Sequence, residues 1–370
     1  MSKMKTVLVY SPFMGYTGSE IAIRNLVVHG KKIRYVILSG LKGELLSTFP
    51  PRIPTYYVEG NVWSDRLNRV AKRLGLKGVA ERKFQKIVSK YKPDLVLVNT
   101  IAAGRIIEAL RSSSIPFVIY IHEMPSNYDI ISINCLLFLL EHAKGIIACS
   151  EAVADPIREM GIEKVYKFYE TIDTRGIIIS QKILSELQKI YGAYDHVFIM
   201  SGTPIYRKGF HLVPAIASFL RAKNAAFIWL GWHRWTGGLM DYVERVKSRQ
   251  DLQNLILPGL QTDVSYYTYL SLASAFLLTS IEDPYPLVML EAAYLQKPII
   301  AFRSGGVAEF VKEGMGRVVP LLDLEAFFQA ITDFIEGRMK IDQNLLHEEA
   351  KKHDTALRVD EFEELLLSFI

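Results

Sequence analysis

Residues 275–309 read AFLLTSIEDPYPLVMLEAAYLQKPIIAFRSGGVAE, and the order of their apolar runs and loops decides the fold class. The run 275–278 is short and wholly apolar, which is typical of a strand buried in a parallel sheet. The stretch 287–295 is apolar nearly all the way round, as in a helix inside a domain. Pro286 suits the first turn of that helix, because its missing N–H would be unpaired there. These elements predict a parallel βαβ unit.

One charged residue, Glu291, lies inside this apolar helix. A buried carboxylate needs a partner, which is either a buried Arg or Lys or a bound ligand. The loop before the helix brings a second acid, Asp283, which either caps the helix or contacts the same ligand. Helix N-termini at the carboxyl edge of a parallel sheet favour phosphate, and carboxylates suit sugar hydroxyls. A nucleotide-sugar carries both groups.

Length and composition place the chain among ordinary globular proteins. Its 370 residues fit two domains, and 50% apolar with 22% charged residues is typical of a globular chain. Cys135 and Cys149 have no metal-ligand or redox spacing, which favours a cytoplasmic protein with reduced thiols. The N-terminus predicts a first strand rather than a signal peptide, and no apolar stretch predicts a membrane span.

The charge is unevenly distributed. Residues 1–100 contain 18 Lys and Arg against 6 Asp and Glu, whereas the whole chain carries a net charge of +5. Much of this basic charge lies in 62–77, where an apolar helical face opposes a basic one. Such a helix either covers a sheet as an ordinary surface helix or lies on an anionic membrane. Nucleic acid is not expected as a partner, because the basic residues form no recognised binding motif.

Strand-like runs alternate with helix-length amphipathic segments along the whole chain. In the first half the strands are predicted at 6–10, 34–38, 95–98, 117–121 and 145–148. In the second half they are predicted at 196–200, 226–230, 255–257, 275–278, 298–302 and 317–319. The pattern predicts an α/β protein with two Rossmann-like, doubly wound parallel sheets and a ligand cleft between them. We expect domains at 1–174 and 175–342, with a helical segment at 343–370 that packs back on the first.

The loop after the first strand of the second half reads MSGTPIYRKG over residues 200–209. Arg207 and Lys208 are placed to meet a diphosphate there, unless they form a simple solvated turn. Dehydrogenase and P-loop functions lose their main support, because the chain has neither a G-x-G-x-x-G after its first strand nor a GK[ST] loop.

Several of these motifs together resemble the retaining family 4 glycosyltransferases, which have two Rossmann-like domains in the GT-B fold. They are the Lys208-Gly209 pair, the two acids Asp283 and Glu291 with seven residues between them, and the segment SGGVAE at 304–309. The first half adds GSE at 18–20, YIHE at 120–123 and ACS at 148–150. The resemblance therefore covers nearly the whole chain.

The resemblance implies transfer of a hexose from a UDP- or GDP-sugar to a saccharide or lipid-linked acceptor, with retention of the anomeric configuration. It implies catalytic roles for His122, Lys208 and Asp283. It also implies a nucleotide-sugar site that consists of Gly18, Gly202, Arg207, Lys208, Asp283, Tyr285, Leu287, Glu291, Gly305 and Gly306. The donor is a substrate, and no cofactor is expected. No metal is expected either, since the sequence has no D-x-D motif and no clustered His or Cys residues.

Within that scheme, Lys208 and Arg207 stabilise the departing diphosphate, and Glu291 accepts hydrogen bonds from ribose. Asp283 holds hydroxyls of the donor sugar, and His122 contacts the transferred sugar. Such enzymes build polysaccharide, lipopolysaccharide or glycolipid. With the basic first domain, this favours a cytoplasmic protein that contacts the inner face of the plasma membrane peripherally.

The chain departs from the family pattern at a few positions. Asp283 stands where the family usually has Glu, Pro284 and Pro286 stand where small residues are usual, and Thr203 replaces an Arg. We take Arg207 as the substitute for that missing Arg. Asp283 and Thr203 keep open the alternative of a subunit that binds nucleotide-sugars without catalysis. A second alternative is a nucleotide-sugar epimerase on the same two-domain scaffold.

Overall fold

A computed structural model describes residues 4–58, 78–231 and 237–370. The basic helix predicted at 62–77 lies outside these residues. The chain divides into two units, of which the first comprises Met1–Thr171 with Thr355–Ile370 and the second comprises Ile172–Asp354. No helix within the described ranges combines the length and apolar character that a bilayer crossing requires.

The described part of the first unit is a seven-stranded parallel sheet with helices between its strands. Its elements up to residue 167 are β1 (Lys5–Phe13), α1 (Gly18–His29), β2 (Ile33–Leu41), β3 (Thr55–Tyr57), α2 (Val79–Tyr91), β4 (Leu95–Asn99), α3 (Ile107–Arg111), β5 (Phe117–Ile121), α4 (Ile133–His142), β6 (Ile146–Ala148), α5 (Glu151–Glu159) and β7 (Val165–Lys167). The strand order is β3-β2-β1-β4-β5-β6-β7. The order reverses between β1 and β4, and ligands of such sheets bind outside the carboxyl ends of the strands at this point.

The described part of the second unit repeats the scheme with six strands. Its elements are α6 (Gln181–Tyr191), β8 (His196–Ser201), α7 (Val213–Arg221), β9 (Ala225–Leu230), α8 (Gly237–Arg249), β10 (Leu255–Gly259), α9 (Asp263–Leu272), β11 (Ala275–Leu278), α10 (Leu287–Tyr294), β12 (Ile299–Phe302), α11 (Val307–Phe310), β13 (Gly316–Val319), α12 (Leu324–Ile335) and α13 (Gln343–Lys351). The order β10-β9-β8-β11-β12-β13 reverses between β8 and β11. Two doubly wound parallel sheets, the predicted fold class, are therefore confirmed.

Local sequence explains why these elements form. The central strands β4, β5, β9, β11 and β12 are buried along their whole length, because they are covered by helices on both faces. Several helices begin at a side chain that accepts a backbone N–H. Ser150 caps α5, Asp323 caps α12 and Asp342 caps α13 in this way. Apolar runs thus account for the buried strands, and capping side chains account for the starts of these helices.

The last helix, α14 (Thr355–Leu367), belongs to the first unit although it follows the second in sequence. Its Glu363 is fully buried and accepts the backbone N–H groups of Lys31, Lys32 and Ile33 at 2.9–3.1 Å. Three such donors stabilise a buried carboxylate that would otherwise be costly. One side chain therefore fastens α14 to the turn between α1 and β2.

The structure divides the predicted C-terminal segment 343–370. Helix α13 packs on α10 within the second unit, and only α14 joins the first. Leu346 and Ala350 are the buried residues of α13, and both are small or apolar side chains on one helical face. The expected packing of the whole segment on the first unit therefore differs from the structure, because its two helices pack in different units.

Candidate functional site

The two central strands of the second unit, β8 and β11, carry the predicted cationic and acidic residues on the loops that follow them. Lys208 lies in the loop after β8, and Asp283 lies in the loop after β11. Since strand order reverses between these two neighbouring strands, their carboxyl ends form the switch point of the sheet. The topology thus brings together residues that are 75 positions apart in sequence.

Lys208 and Asp283 form an ion pair at this switch point. Lys208 Nζ lies 2.5 Å from Asp283 Oδ2, and the two side chains are only 15% and 6% exposed. Ser280 Oγ donates to the same oxygen at 2.8 Å. Burial lowers the pKa of Lys208, Asp283 opposes that shift, and neighbouring Arg207 adds to it. Lys208 and Ser280 therefore share one carboxylate oxygen of Asp283, which holds the Lys208 side chain in one place.

Backbone contacts fasten the two loops to each other. Ile281 N donates to Arg207 O at 2.8 Å, Arg207 Nη1 donates to Glu282 O at 2.8 Å, and Thr279 Oγ1 donates to Lys208 O at 2.8 Å. Gly209 has φ 76°, and a Cβ there would lie 2.1 Å from Thr279 O. Only glycine permits this close approach. The Lys208-Gly209 pair is thus explained by the packing of one loop on the other.

The glycine-containing loop after β12 contacts the loop after β11, which carries Asp283. Gly305 has φ 50°, and a Cβ on it would lie 2.0 Å from Asp283 O. Gly306 N donates to Pro284 O at 2.9 Å. Gly202, at the end of β8, accepts the indole N–H of Trp229 at 2.9 Å. The predicted glycines therefore surround the Lys208–Asp283 pair within the second unit.

Glu291 on α10 is held by two tyrosines. Tyr266 donates to Oε2 at 2.7 Å, and Tyr267 donates to Oε1 at 3.2 Å. Burial raises the pKa of Glu291, and the hydrogen bonds from the two hydroxyl groups oppose this shift. The structure therefore gives Glu291 hydroxyl donors in place of the Arg or Lys that the first alternative requires.

Tyr285, predicted to bind the nucleotide-sugar, points into the protein. It is 4% exposed, its hydroxyl lies 3.3 Å from His353 Nε2, and its ring packs edge-on against Phe310. Leu287, also predicted for the site, is the first residue of α10 and is half-buried. These contacts fit a residue that fixes the conformation of the loop between β11 and α10, which carries Asp283.

His122 lies in the first unit, directly after β5. Its Nδ1 lies 2.5 Å from Glu170 Oε1, and its Nε2 lies 2.9 Å from Asn99 Oδ1. Burial alone would lower the pKa of His122, but the carboxylates of Glu170, Glu123 and Glu20 raise it above its usual value. An imidazolium that donates from both nitrogens satisfies this geometry. Both ring nitrogens of the residue that was predicted to contact the sugar therefore already have partners within the protein.

Two further acids surround the same histidine. Glu20 is buried and accepts a hydrogen bond from the Ser19 hydroxyl at 2.8 Å. Glu123 accepts a hydrogen bond from the backbone N–H of His122 at 3.0 Å. Burial raises the pKa of both carboxyls. Gly18, predicted for the site, begins α1 two residues before Glu20. This edge of the first sheet is rich in carboxyl groups.

The fold also brings Cys149 to this cluster. Ligand atoms of His122, Cys149 and Glu170 lie within 4.8 Å of one another, although the sequence separates them onto three segments. A tetrahedral zinc ion keeps its ligand atoms about 3 Å or more apart. The 2.5 Å between His122 Nδ1 and Glu170 Oε1 is the distance of a hydrogen bond instead. In the structure His122 and Glu170 thus form an ion pair beside the Cys149 thiol, and burial raises the pKa of that thiol.

Two family models match the chain, and each covers most of one unit. The model described as glycosyltransferase family 4 matches residues 45–175, and the model described as glycosyl transferases group 1 matches residues 195–337. The chain belongs to the group 1 and family 4 glycosyltransferases. A relative from Streptococcus pneumoniae, α-galactosylglucosyldiacylglycerol synthase, is 25% identical over 191 residues. That alignment spans half of this chain and half of the relative.

Solved structures of other proteins share the fold over nearly the whole chain. Anabaena HepE in complex with UDP and glucose aligns over 100% of both chains, with a TM-score of 0.82 and 18% identity. Sucrose-phosphate synthase from Thermosynechococcus elongatus aligns over 98% of this chain and 99% of that one, with a TM-score of 0.78 and 17% identity. At these identities the likeness shows the fold alone.

Sequence reasoning on this glycosyltransferase missed the partners of its predicted site residues. These are Asn99 and Glu170 beside His122, Ser280 beside Asp283, and Tyr266 and Tyr267 beside Glu291. Asn99 ends a buried strand, and Glu170 follows a short edge strand. A polar residue at the carboxyl end of a parallel strand was the available signal. The two tyrosines lie within a helix and gave no comparable signal.

Proposed function

We propose that this chain is a retaining glycosyltransferase that moves a hexose from a nucleoside diphosphate sugar to an acceptor hydroxyl. The observation that carries the proposal is the pairing of Lys208 with Asp283 at the switch point of the second sheet. A fixed ammonium group at that edge suits a diphosphate, because negative charge develops there as the bond to the sugar breaks. Arg207 adds a second positive charge on the adjacent residue.

For the donor, we propose a UDP-sugar. The ribose hydroxyls would donate to Glu291, whose carboxylate is aimed by Tyr266 and Tyr267. HepE has been crystallised with UDP and with UDP-glucose, and its fold extends over nearly the whole of this chain. The backbone of Gly305 and Gly306 would lie beside the nucleotide, because Gly305 packs directly on Asp283 O and so holds its loop against the Lys208–Asp283 pair.

In the reaction we propose, the bond between the anomeric carbon and the diphosphate oxygen breaks, the acceptor oxygen bonds to that carbon on the same face, and the proton of the acceptor hydroxyl passes to the departing diphosphate. Lys208 and Arg207 would meet the charge on the leaving diphosphate. Asp283 would fix the direction of the Lys208 ammonium, in addition to its expected contact with the donor sugar. Side-chain cations would thus supply the positive potential, so we expect turnover to continue in the presence of EDTA.

For the acceptor, we propose a lipid-linked saccharide. The carboxyl-rich edge of the first unit suits a molecule with hydroxyl donors, because Glu20 and Glu123 can accept hydrogen bonds. The relative from Streptococcus pneumoniae is named for a product with a diacylglycerol anchor. With 18 Lys and Arg among residues 1–100, the first unit would meet an anionic membrane surface peripherally.

Turnover of a labelled donor tests this proposal. The full-length chain is incubated with radiolabelled UDP-hexoses and vesicles that contain glucosyl- or galactosyl-diacylglycerol, and lipid-borne label is counted with and without EDTA. We expect transfer to the lipid and equal rates in both buffers. An isomerised free sugar would support the epimerase instead, and binding without turnover across the acceptor panel would support the non-catalytic subunit. Absence of binding to every nucleotide-sugar would overturn the proposal.

A further inference from the structure

Tyr266 and Tyr267 are neighbours on α9 that reach one carboxylate on another helix. Their hydroxyl groups donate to different oxygens of Glu291, at 2.7 and 3.2 Å. Adjacent residues on a helix point about 100° apart. Both can therefore reach one carboxylate only if that group lies between their side chains. The two rings are 5.0 Å apart, with 65° between their planes, and Glu291 is held between their hydroxyl groups.

The Tyr266 hydroxyl is also fixed from a third side. It shares a hydrogen bond with Ser201, which is the last residue of β8 and is 8% exposed. Ser201 precedes Gly202, where the loop that carries Lys208 begins. This network connects the carboxylate of Glu291 with the end of the central strand of the sheet.

Hydroxyl donors stabilise the carboxylate without cancelling its charge. Burial raises the pKa of Glu291, and the two hydroxyl groups lower it. Burial also raises the pKa of Tyr266, and the charge of Glu291 raises the pKa of Tyr267, so both remain neutral donors at physiological pH. A buried Arg or Lys would instead form an ion pair and compete with a ligand. Both tyrosine partners of Glu291 are thus neutral donors rather than cations.

We infer that Tyr266 and Tyr267 are positioning residues that aim Glu291 at the two neighbouring hydroxyl groups of a ribose. An ionised carboxylate accepts about four hydrogen bonds, two on each oxygen. One position on each oxygen is taken by a tyrosine, which leaves one on each for the ligand. Two acceptors on one carboxylate match the 2′- and 3′-hydroxyls of a ribonucleotide. This inference rests on the proposed function and assigns its ribose specificity to the tyrosine pair.

The consequence is discrimination between ribonucleotides and deoxyribonucleotides. A site that is built to accept a hydroxyl rejects the analogue that lacks it, because a buried acceptor then loses its partner. Without a tyrosine, Glu291 is free to turn and is more easily protonated. The preference for ribose should therefore fall when either tyrosine loses its hydroxyl group.

Calorimetric titration of the full-length protein tests the inference with UDP, 2′-deoxy-UDP and pyrophosphate. We expect Tyr266→Phe and Tyr267→Phe each to weaken the binding of UDP about tenfold, since a hydrogen bond to a charged group contributes about that factor. Pyrophosphate affinity should be unchanged, and the preference for UDP over 2′-deoxy-UDP should shrink. Tyr269→Phe is the matched control, because this tyrosine lies on the same helix and pairs with Tyr191 instead. It should behave as the wild type.

A pH series adds a readout that a structural role would not move. Removal of a donor raises the pKa of Glu291 further, so the tyrosine variants should begin to lose UDP affinity at a higher pH than the wild type as the pH falls. Thermal melting of each variant reports whether it is folded. If the tyrosine variants lost the same factor of affinity for all three ligands, or kept the preference for UDP over 2′-deoxy-UDP unchanged, the inference would be overturned. If the wild type bound no nucleoside diphosphate, the proposed function would fail and the inference with it.

Discussion

The carboxyl edges of the two sheets share one topology and differ in charge. In the first unit, His122 lies among Glu20, Glu123 and Glu170, and both its ring nitrogens have partners. In the second unit, Lys208 has one acidic partner, Asp283. Strand order alone places predicted site residues at both edges. The side chains decide that one edge suits hydroxyl donors and the other suits phosphate.

The largest effect should follow from removal of the ammonium group in the second unit. We expect Lys208→Ala to lower kcat/KM for the UDP-sugar about a thousandfold, because the leaving diphosphate loses its fixed positive partner. Steady-state kinetics with labelled donor measures this. Lys182→Ala, an exposed lysine on α6, is the matched control and should be neutral. Comparable rates in Lys208→Ala and the wild type would remove Lys208 from the site.

A smaller effect should follow from Asp283→Asn. If the acid mainly orients Lys208, the variant should bind UDP, UDP-sugar and pyrophosphate about tenfold more weakly, since the ammonium loses its fixed direction. Calorimetry on the three ligands measures this, with Asp241→Asn on α8 as the control. Weaker binding of the UDP-sugar alone would show that Asp283 acts through the sugar rather than through Lys208.

The smallest effect concerns stability in the first unit. The pKa of His122 is raised in the folded state, so the charged pair with Glu170 stabilises fully below the unfolded value of about 6.5. That contribution is lost as the pH rises through the folded pKa. The melting temperature of Glu170→Gln should therefore fall below the wild type by several degrees at pH 6, and the gap should narrow at alkaline pH.

The control for this pH dependence is Glu159→Gln, an exposed acid on α5. It should follow the wild type at every pH. A difference in melting temperature between Glu170→Gln and the wild type that stayed constant across pH would mean that the charge of His122 does not contribute to stability. The contrast in charge between the two sheet edges would then be weaker.

Much of the fold was predictable because buried parallel strands are short apolar runs. All six strands of the second sheet were predicted, whereas β3 and β7 of the first were missed. Each has three residues at a sheet edge, Thr55–Tyr57 and Val165–Lys167, and neither contains a buried residue. Without burial on both faces, an edge strand has no apolar run to mark it.

The predictability of the site has a different limit. The spacing of Asp283 and Glu291 on one loop and helix is local, so the sequence shows it directly. Their partners are not local, because Tyr266 lies 25 residues from Glu291 on another helix and Lys208 lies 75 residues from Asp283. For Lys208 the loop after a strand gave the signal. For Tyr266 only the hydrogen bond from α9 to Glu291 on α10, seen in the structure, reveals the contact.

Calorimetric titration of UDP tests most directly whether the nucleotide belongs to the second edge. Wild type, Lys208→Ala and Glu170→Gln are compared under one buffer, with melting curves to confirm that each is folded. The account predicts at least about tenfold weaker binding for Lys208→Ala, the factor expected for a lost charge-assisted hydrogen bond, and unchanged binding for Glu170→Gln. Unchanged affinity in Lys208→Ala, or a loss confined to Glu170→Gln, would contradict it.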